Sequence, residues 1–285
     1  MWWSRIWEIF LVTTEPRLRP VRDLPHALEA FDTLEAALNG REPAIFLDYD
    51  GTLTPIVSRP EDAILSAEGR AVVDTLARKR PVAVVSGRDR PDVETLVGID
   101  TLTFAGSHGF DIRTPTDGVL ALEGVGDYTA LMDEVESRLK VGLDPIPGAL
   151  VERKKFSVAA HYRLVSDEEY PVFRSVLDRL MGAVSGLKEK PGKKVFEIQP
   201  AIDWDKGKAV ATLLGTLGLD DPGHAPMFFG DDVTDEDAFK ALQGMNGIGV
   251  LTAPASDSDQ GRVSAADFRV DDPDQVLDLL RRLTP

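Results

Sequence analysis

The sequence predicts an α/β protein: a doubly wound, Rossmann-like parallel sheet into which an α+β cap is inserted. Three observations predict this class. Short apolar runs without helical period, at 44–47, 81–85 and 226–229, are typical of strands buried on both faces. Amphipathic helical segments alternate with these runs, as in a doubly wound fold. Residues 149–163 instead alternate polar with apolar side chains, which indicates an antiparallel sheet with one open face.

Composition restricts the class of function. Of the 285 residues, 43% are hydrophobic and 28% are charged, as in globular proteins with a sizeable core. The net charge of −16 argues against nucleic acid as a partner. A phosphorylated substrate would therefore need a divalent cation or a local basic cluster at its site. The chain contains no cysteine, which excludes thiolate chemistry and weakly favours an intracellular, cytoplasmic location.

The first twelve residues are unusually aromatic, because they hold three of the four tryptophans. Glu8 interrupts the apolar run and no small-residue cleavage site follows, so the segment does not match a signal peptide. It is also too short to span a bilayer, and we expect no transmembrane segment in the chain. We expect this segment to pack on its own domain or to form a homo-oligomer contact, with a membrane-surface helix as the alternative.

The predicted N-terminal extension, residues 1–40, ends in a helix over 25–38, whose apolar residues recur every three or four positions. The first part of the core follows at 41–113. Its strands are each followed by a turn rich in polar residues. The predicted elements are strand 44–47, a helix capped by Ser66, strand 81–85, helix 91–97 and strand 102–105.

The pattern changes at about Thr114, and we assign residues 114–200 to the cap and 201–285 to the second part of the core. In the cap, we expect helices at 128–139 and 167–181, strands within 149–163 and a strand at 195–198. The core pattern then returns with a helix from Asp205, strands 226–229 and 247–250, and a last helix after Asp272.

Two acids follow the first core strand. Asp48 and Asp50 are two residues apart, so strand alternation would place them on the same side. Gly51 allows a sharp turn just beyond them. Carboxylates at the carboxyl end of a parallel strand lie in the usual ligand crevice of an open α/β sheet. A pair of this kind is, by itself, more typical of a solvated acidic turn, so the more distant motifs must decide.

Other strand ends carry groups that suit phosphate chemistry. Asp231, Asp232 and Asp235 offer hard oxygen ligands, a set that fits Mg²⁺ together with Asp48 and Asp50. Ser86 supplies a hydroxyl, and Lys206 supplies a compact positive charge at the start of a helix. Each feature alone is usually a solvated surface residue. Their combination predicts a magnesium-dependent phosphoryl site.

These motifs, in this order along residues 42–285, resemble those of the haloacid-dehalogenase-like hydrolases. The resemblance implies that Asp48 attacks phosphorus and carries a transient aspartyl phosphate, while Asp50 acts as general acid and base. It implies that Mg²⁺ is bound by Asp48, the Asp50 carbonyl and Asp231. Ser86 and Lys206 would hold the phosphoryl oxygens.

The cap and its flanking motifs look like those of trehalose-6-phosphate phosphatases. The segments that carry this resemblance are 106–109, 151–154, 161–163, 196–200 and 230–239. The resemblance implies hydrolysis of the sugar phosphate trehalose 6-phosphate to trehalose and phosphate. It also implies that the substrate contacts Arg88, His108, Glu152, Lys154 and Glu197. Two departures, Gln199 in place of the more frequent Arg and Asp111 in place of Glu, affect the expected cap contacts rather than the phosphoryl chemistry.

Two other functions stay open at this point. A phosphatase of the same fold could act on another glycosyl phosphate, such as a glucosylglycerate or glucosylglycerol phosphate. A non-catalytic binding module could also retain the fold, although the intact Asp48 and Asp50 argue against it. For each cap residue, the alternative role is a surface ion pair across a strand, for example between Glu152 and Lys154.

Overall fold

The computed structural model describes residues 15–57, 59–120, 128–192, 194–256 and 261–285. The tryptophan-rich segment, for which we expected self-packing or a homo-oligomer contact, lies outside the described residues. Within them, no helix has both the length and the apolar character that crossing a membrane requires.

Strands and helices alternate through most of the chain. The strands are β1 (Arg19–Pro20), β2 (Glu42–Leu47), β3 (Val82–Val85), β4 (Thr103–Gly106), β5 (Asp111–Thr114), β6 (Gly118–Leu120), β7 (Leu150–Arg153), β8 (Val158–His161), β9 (Leu187–Gly192), β10 (Val195–Pro200), β11 (His224–Gly230), β12 (Ile248–Thr252), β13 (Val263–Ser264) and β14 (Phe268–Val270). The helices are α1 (Phe31–Leu38), α2 (Ala67–Ala77), α3 (Arg90–Val97), α4 (Thr129–Leu143), α5 (Tyr170–Ala183), α6 (Lys206–Leu217), α7 (Glu236–Gly244) and α8 (Pro273–Leu283).

The core unit comprises the described residues of 15–120 and 204–285. Its main sheet has the strand order β14-β12-β11-β2-β3-β4-β5-β6. The pairings from β14 to β4 are parallel, and only the β4-β5 and β5-β6 pairings are antiparallel. This arrangement confirms the predicted α/β class with a parallel, Rossmann-like core.

Strand β2 lies in the middle of this sheet and is buried on both faces. Ile45 and Leu47 belong to an apolar cluster that includes side chains of α2 and α8, and Phe46 is 1% exposed although it points the opposite way. Burial on both sides explains why the strand reads as a continuous apolar run. It also fixes the strand end from which Asp48 projects.

The cap unit comprises the described residues of 128–203. Its four-stranded antiparallel sheet has the order β7-β8-β10-β9. Helices α4 and α5 cover one face through an apolar cluster that includes Met132, Phe173 and Ile198. The opposite face carries polar side chains, because successive residues of each strand point to opposite sides.

Several element bounds differ from the sequence predictions. The helix expected over 25–38 begins only at Phe31, because the preceding residues pair with strand β14 instead. His26 forms a bridge to Arg269, and the Ala27 N–H donates to the Arg269 carbonyl at 2.8 Å. Strand β9 was not predicted, since its Lys, Glu, Pro and Gly residues have low strand propensity. It forms an edge of the cap sheet, where such residues are tolerated.

The limits of the two units lie slightly beyond the sequence boundaries at Thr114 and Pro200. Strand β6 (Gly118–Leu120) pairs with β5 and so extends the core sheet past the first boundary. At the other end, the core unit resumes at Trp204. The predicted Ser66 cap is present, since its side chain accepts a hydrogen bond from the Gly69 N–H at 2.9 Å.

A buried tyrosine fastens the loop that follows the Asp-x-Asp turn. The Tyr49 hydroxyl donates to the Ala63 carbonyl at 2.6 Å and accepts from the Leu65 N–H at 3.1 Å. Its side chain is fully buried, so both backbone groups depend on this one oxygen. Burial raises the pKa of Tyr49 to about 12, so the hydroxyl stays protonated at physiological pH.

We predict that Tyr49→Phe lowers the free energy of unfolding by about 1–3 kcal/mol, because a buried donor and a buried acceptor both lose their partner. Urea titration at pH 7 measures the change. Tyr170→Phe is the control, since no hydrogen bond of its hydroxyl is found within the described part of the chain. Equal midpoints for the two variants would contradict the proposed role of the Tyr49 hydroxyl.

Candidate active site

The residues with predicted roles in phosphoryl chemistry come from loops at one edge of the core sheet. Asp48 follows β2, Ser86 follows β3, His108 follows β4 and Asp231 follows β11. Because these four strands are parallel, their carboxyl ends lie at the same edge. Lys206 opens helix α6, which follows the cap in sequence.

A buried lysine joins two of the carboxylates. Lys206 Nζ lies 2.8 Å from Asp48 Oδ1 and 2.6 Å from Asp235 Oδ1, and the lysine is only 3% exposed. Burial opposes its charge, but Asp235 and Asp48 outweigh that effect and raise the pKa of Lys206, so it is a cation. Burial raises the pKa of Asp48 as well, while the Lys206 charge counteracts this effect.

Asp231 completes the acidic cluster. Carboxylate oxygens of Asp48, Asp231 and Asp235 all lie within 4.8 Å of one another. Asp231 Oδ1 is buried without a hydrogen-bond partner among the described residues. Burial, together with the charges of Asp235 and Asp232, raises the pKa of Asp231 to about 7. When they are ionised, these three carboxylates carry more negative charge than Lys206 alone can balance.

The chemistry of this acidic cluster fits a divalent cation. The cluster supplies hard oxygen donors and an unpaired buried carboxylate oxygen, which is the chemistry that Mg²⁺ selects. The two oxygens of Asp235 already accept hydrogen bonds, so Asp48 and Asp231 are the better ligands. The residues present fit the metal expected from the sequence.

Asp235 organises the loop that carries Asp231. Its Oδ2 accepts the N–H groups of Asp231 at 2.9 Å and Asp232 at 3.0 Å. A Cβ on Gly230 would lie 2.3 Å from Asp235 Cγ, so only glycine fits there. Asp235 precedes α7 at the helix N-cap, and the backbone N–H and the hydroxyl of Thr234 both donate to Asp232 Oδ1.

Asp50 is paired with an arginine. Arg88 Nε lies 2.7 Å from Asp50 Oδ2, and Arg88 Nη2 lies 2.7 Å from Asp50 Oδ1. Arg88, expected to contact substrate, is thus engaged with the expected acid and base of the reaction. The Asp50 side chain is 42% exposed, so it also remains open to solvent.

Ser86 and His108 lie against each other through their backbones. The His108 N–H donates to the Ser86 carbonyl at 2.8 Å, and its imidazole packs over Gly87, where a Cβ would lie 2.8 Å from Cε1. Ser107, His108 and Gly109 have φ values of 51°, 57° and 96°. Non-glycine residues with positive φ are strained, and they concentrate at functional sites. Trp204 Nε1 donates to the His108 carbonyl at 3.2 Å and supports this turn.

The three expected sugar contacts of the cap share the open face of its sheet. Lys154 Nζ lies 3.1 Å from Glu197 Oε1, which also accepts from the Ser157 hydroxyl at 2.7 Å. His161 Nε2 lies 2.8 Å from Glu152 Oε2, and this hydrogen bond lowers the pKa of Glu152. The structure therefore groups the predicted residues into a core set and a cap set, each within its own unit.

Sequence reasoning did not assign roles to several partners of these residues. Ser157 and His161 orient cap carboxylates, and strand alternation with Glu152 and Lys154 was the available signal. Arg262, which lies in a loop 31 residues further along the chain, donates from Nη2 to the Asp231 carbonyl at 2.5 Å. No local sequence pattern predicts this contact. Asp235 was noted as an oxygen donor, but its role in ordering the loop becomes clear only from its hydrogen bonds.

Comparisons with known proteins agree on one family. The family model described as trehalose-phosphatase matches residues 46–274. A probable trehalose-phosphate phosphatase of Oryza sativa subsp. japonica is 38% identical over 275 residues, covering 91% of this chain and 74% of that protein. A trehalose 6-phosphate phosphatase of Zea mays is 38% identical over 273 residues, with coverages of 91% and 74%. The C-terminal domain of a trehalose-6-phosphate phosphatase from C. albicans has the same fold, with a TM-score of 0.72, 24% identity and coverages of 92% and 98%.

We predict that Gly51→Ala disables the site. A Cβ at position 51 would lie 2.2 Å from Asp231 Oδ2, so the carboxylate must move. A displacement of about 1 Å at a reacting centre lowers kcat roughly a hundredfold. Steady-state phosphate release in the presence of Mg²⁺ measures the loss.

Gly40→Ala is the matched control for Gly51→Ala. Gly40 has a similar φ of +74°, but a Cβ there would meet nothing within 4 Å. Gly40→Ala should therefore show the effect of backbone strain alone: a lower free energy of unfolding with unchanged activity. Equal activity losses in the two variants would refute displacement of Asp231 as the cause.

The raised pKa of Asp231 predicts a pH-dependent stability of the metal-free protein. The pKa of Asp231 is about 7 in the folded protein, above its ordinary value of 3.8. The stability that depends on protonated Asp231 is therefore fully present below about pH 4 and is lost as the pH rises to about 7. Asp231→Asn lacks this loss. In EDTA, its melting temperature should therefore rise relative to wild type across this interval, and Mg²⁺ should remove the difference at pH 8. A difference that is independent of pH would contradict the prediction.

Proposed function

Because the chain belongs to the trehalose-phosphatase family, we propose that it hydrolyses trehalose 6-phosphate to trehalose and inorganic phosphate. Family membership confirms the resemblance on which the sequence expectations rested, and with it the phosphatase class of the enzyme. The observation that carries the proposal for this chain is the pairing of Asp48 with Lys206, beside Asp231 at one edge of the sheet.

Asp48 and Asp231 would hold the divalent cation, which we take to be Mg²⁺, with the Asp50 carbonyl as the further protein ligand expected from the family. When bound, the cation would neutralise the negative charge that otherwise keeps a carboxylate nucleophile apart from a phosphate. The unpaired buried oxygen of Asp231 supports this assignment.

Asp48 is the proposed nucleophile. One of its oxygens forms a bond to phosphorus, the bond from phosphorus to the sugar oxygen breaks, and an aspartyl phosphate results. Lys206 donates to Asp48 Oδ1, so we assign the attack to Oδ2, for which no hydrogen bond is found among the described residues. Lys206 favours the ionised form of Asp48, against the opposing effect of burial on its pKa, and orients the carboxylate.

Asp50 is the proposed general acid and base. As an acid it gives its proton to the departing sugar oxygen, and as a base it then takes a proton from the water that attacks the aspartyl phosphate. Phosphate is released and Asp48 returns to a carboxylate. The partial exposure of Asp50 supports both steps, because it leaves room for a leaving group and for water.

Ser86 is the proposed ligand of a phosphoryl oxygen. Its Oγ accepts the Arg88 N–H at 3.2 Å, which leaves the hydroxyl proton available for donation. We assign the same task to Lys206 and to His108, whose imidazole lies over Gly87, the glycine that follows Ser86. Together these groups offer the preorganised donors that stabilise charge on a transferring phosphoryl group.

The cap would supply recognition of the sugar. Glu152, Lys154 and Glu197 present acceptors and donors that are already held in place by hydrogen bonds, as a site that selects hydroxyl patterns requires. Gln199 lies on the same strand as Glu197, is 3% exposed and has an Nε2 without a partner among the described residues. Gln199 is one of the two departures from the family resemblance noted in the sequence, so we propose that this position affects the discrimination between glycosyl phosphates.

The direct test is phosphate release in the presence of Mg²⁺ from trehalose 6-phosphate, glucose 6-phosphate and glucosylglycerate or glucosylglycerol phosphates. We predict the highest kcat/KM for trehalose 6-phosphate, as membership of the trehalose-phosphatase family implies. Asp48→Asn should reduce turnover below detection while the protein stays folded, as its cooperative unfolding in urea would show.

Two results would overturn the proposal. A glucosylglycerate or glucosylglycerol phosphate with the higher kcat/KM would establish the alternative substrate. Absence of turnover for the wild type on every phosphate ester, with Mg²⁺ bound, would favour the non-catalytic module.

A further inference from the structure

The Arg88 side chain is held at more points than a substrate-binding arginine requires. Besides its two bonds to Asp50, its Nη1 lies 2.9 Å from Asp92 Oδ2 and its Nη2 lies 2.8 Å from the Pro60 carbonyl. Only 11% of the side chain is exposed. The guanidinium is therefore a fixed part of the core unit.

Arg88 also packs against the turn that carries Asp48 and Asp50. Its guanidinium carbon lies 5.5 Å from the centre of the Tyr49 ring, and Tyr49 stands between the nucleophile and the proposed acid. The Tyr49 hydroxyl in turn bonds Ala63 and Leu65, in the loop that supplies the Pro60 carbonyl. Tyr49 thus packs against the Arg88 guanidinium and also anchors the loop that contains Pro60.

An inventory of donors decides what Arg88 can do. A guanidinium has five N–H groups in a rigid fork. Asp50 takes two, Asp92 takes one and Pro60 takes one, so four of the five are used within the core. At most one remains for a substrate. This distribution does not match a residue whose main task is to grip a phosphate or a sugar with two parallel bonds.

The same contacts match a residue that orients Asp50. A carboxylate held by a two-point fork cannot rotate about its terminal torsion, whereas a partly exposed aspartate otherwise does so freely. We propose that Arg88 is a positioning residue, which acts on the reaction through the orientation of the Asp50 carboxylate rather than by binding substrate. The proposal rests on the proposed phosphatase function, in which Asp50 transfers protons.

The test is a double-mutant cycle between Asp50 and Arg88, measured as kcat and KM with Mg²⁺. Asp50→Ala should lower kcat for trehalose 6-phosphate by about 10²–10⁴-fold, the usual effect of losing an acid or base. Arg88→Ala should lower kcat roughly tenfold or more with little change in KM, as expected for a misplaced proton-transfer group. In the Asp50→Ala background, adding Arg88→Ala should change kcat by less than about threefold, because non-additivity reports coupling.

Independent effects of the two substitutions would overturn the proposal. If Arg88 binds substrate directly, Arg88→Ala raises KM and lowers kcat/KM by the same factor in both backgrounds. Arg88→Lys separates charge from geometry, since it keeps the positive charge but lacks the fork. We expect Arg88→Lys to resemble Arg88→Ala in kcat, and full activity of Arg88→Lys would contradict the proposal.

A matched control excludes a general loss of structure. Arg113 also pairs with a carboxylate, through Glu94 at 2.7 Å, and lies 5.6 Å from the Phe104 ring in the same sheet. Arg113→Ala should leave kcat and KM unchanged. If it lowers kcat as Arg88→Ala does, the effect of Arg88 is structural and the proposal fails.

The experiment also separates this inference from the proposed function. The cycle is repeated with p-nitrophenyl phosphate, whose leaving group needs no proton but whose phosphoenzyme still needs a base. Turnover of this ester without turnover of trehalose 6-phosphate would rule out the proposed substrate. The double-mutant cycle measured with p-nitrophenyl phosphate would still test the role of Arg88. If neither ester is turned over, urea unfolding of the same four proteins gives the coupling, and additive changes in stability would overturn the proposal.

Discussion

The site depends on how buried negative charge is balanced. Asp48, Asp231 and Asp235 converge within 4.8 Å at the edge of the sheet, and the ammonium of Lys206 contacts two of them. Burying carboxylates without partners is costly, and removing one partner of a buried pair leaves an uncompensated charge. Lys206 makes the cluster tolerable in the folded protein, and the remaining excess negative charge creates the affinity for a divalent cation.

The sheet provides the precision that this balance requires. Strand β2 is central and apolar on both faces, so the position of Asp48 is fixed by packing on both sides. The neighbouring β11 delivers Asp231 in parallel register, with Phe229 opposite Leu47. Asp235 then orders the loop by accepting two backbone N–H groups, and Arg262 donates to the Asp231 carbonyl. Carboxylates from separate loops are in this way held as one unit.

Much of this arrangement was accessible from the sequence because it follows local rules. The apolar runs of β2, β3 and β11, the spacing of Asp48 and Asp50, and the helix start at Lys206 are all short-range patterns. What the sequence did not predict depends on residues far apart in the chain. Residues 25–30 leave the predicted helix because Ala27 bonds Arg269, and the Arg88 fork closes on Asp50 across 38 positions. Strand β9 forms only because β10 offers an edge, which its own composition does not reveal.

The insertion of the cap has a consequence for biosynthesis. Strand β2 pairs with β3, which is close in sequence, and with β11, which begins only at His224. The cap is continuous along the chain and has its own apolar cluster, so it can condense while the ribosome is still translating the remainder. Strand β2 must therefore wait with one hydrogen-bonding edge unpaired until β11 has emerged. During that interval, the nascent chain exposes an apolar strand edge of the kind that chaperones shield.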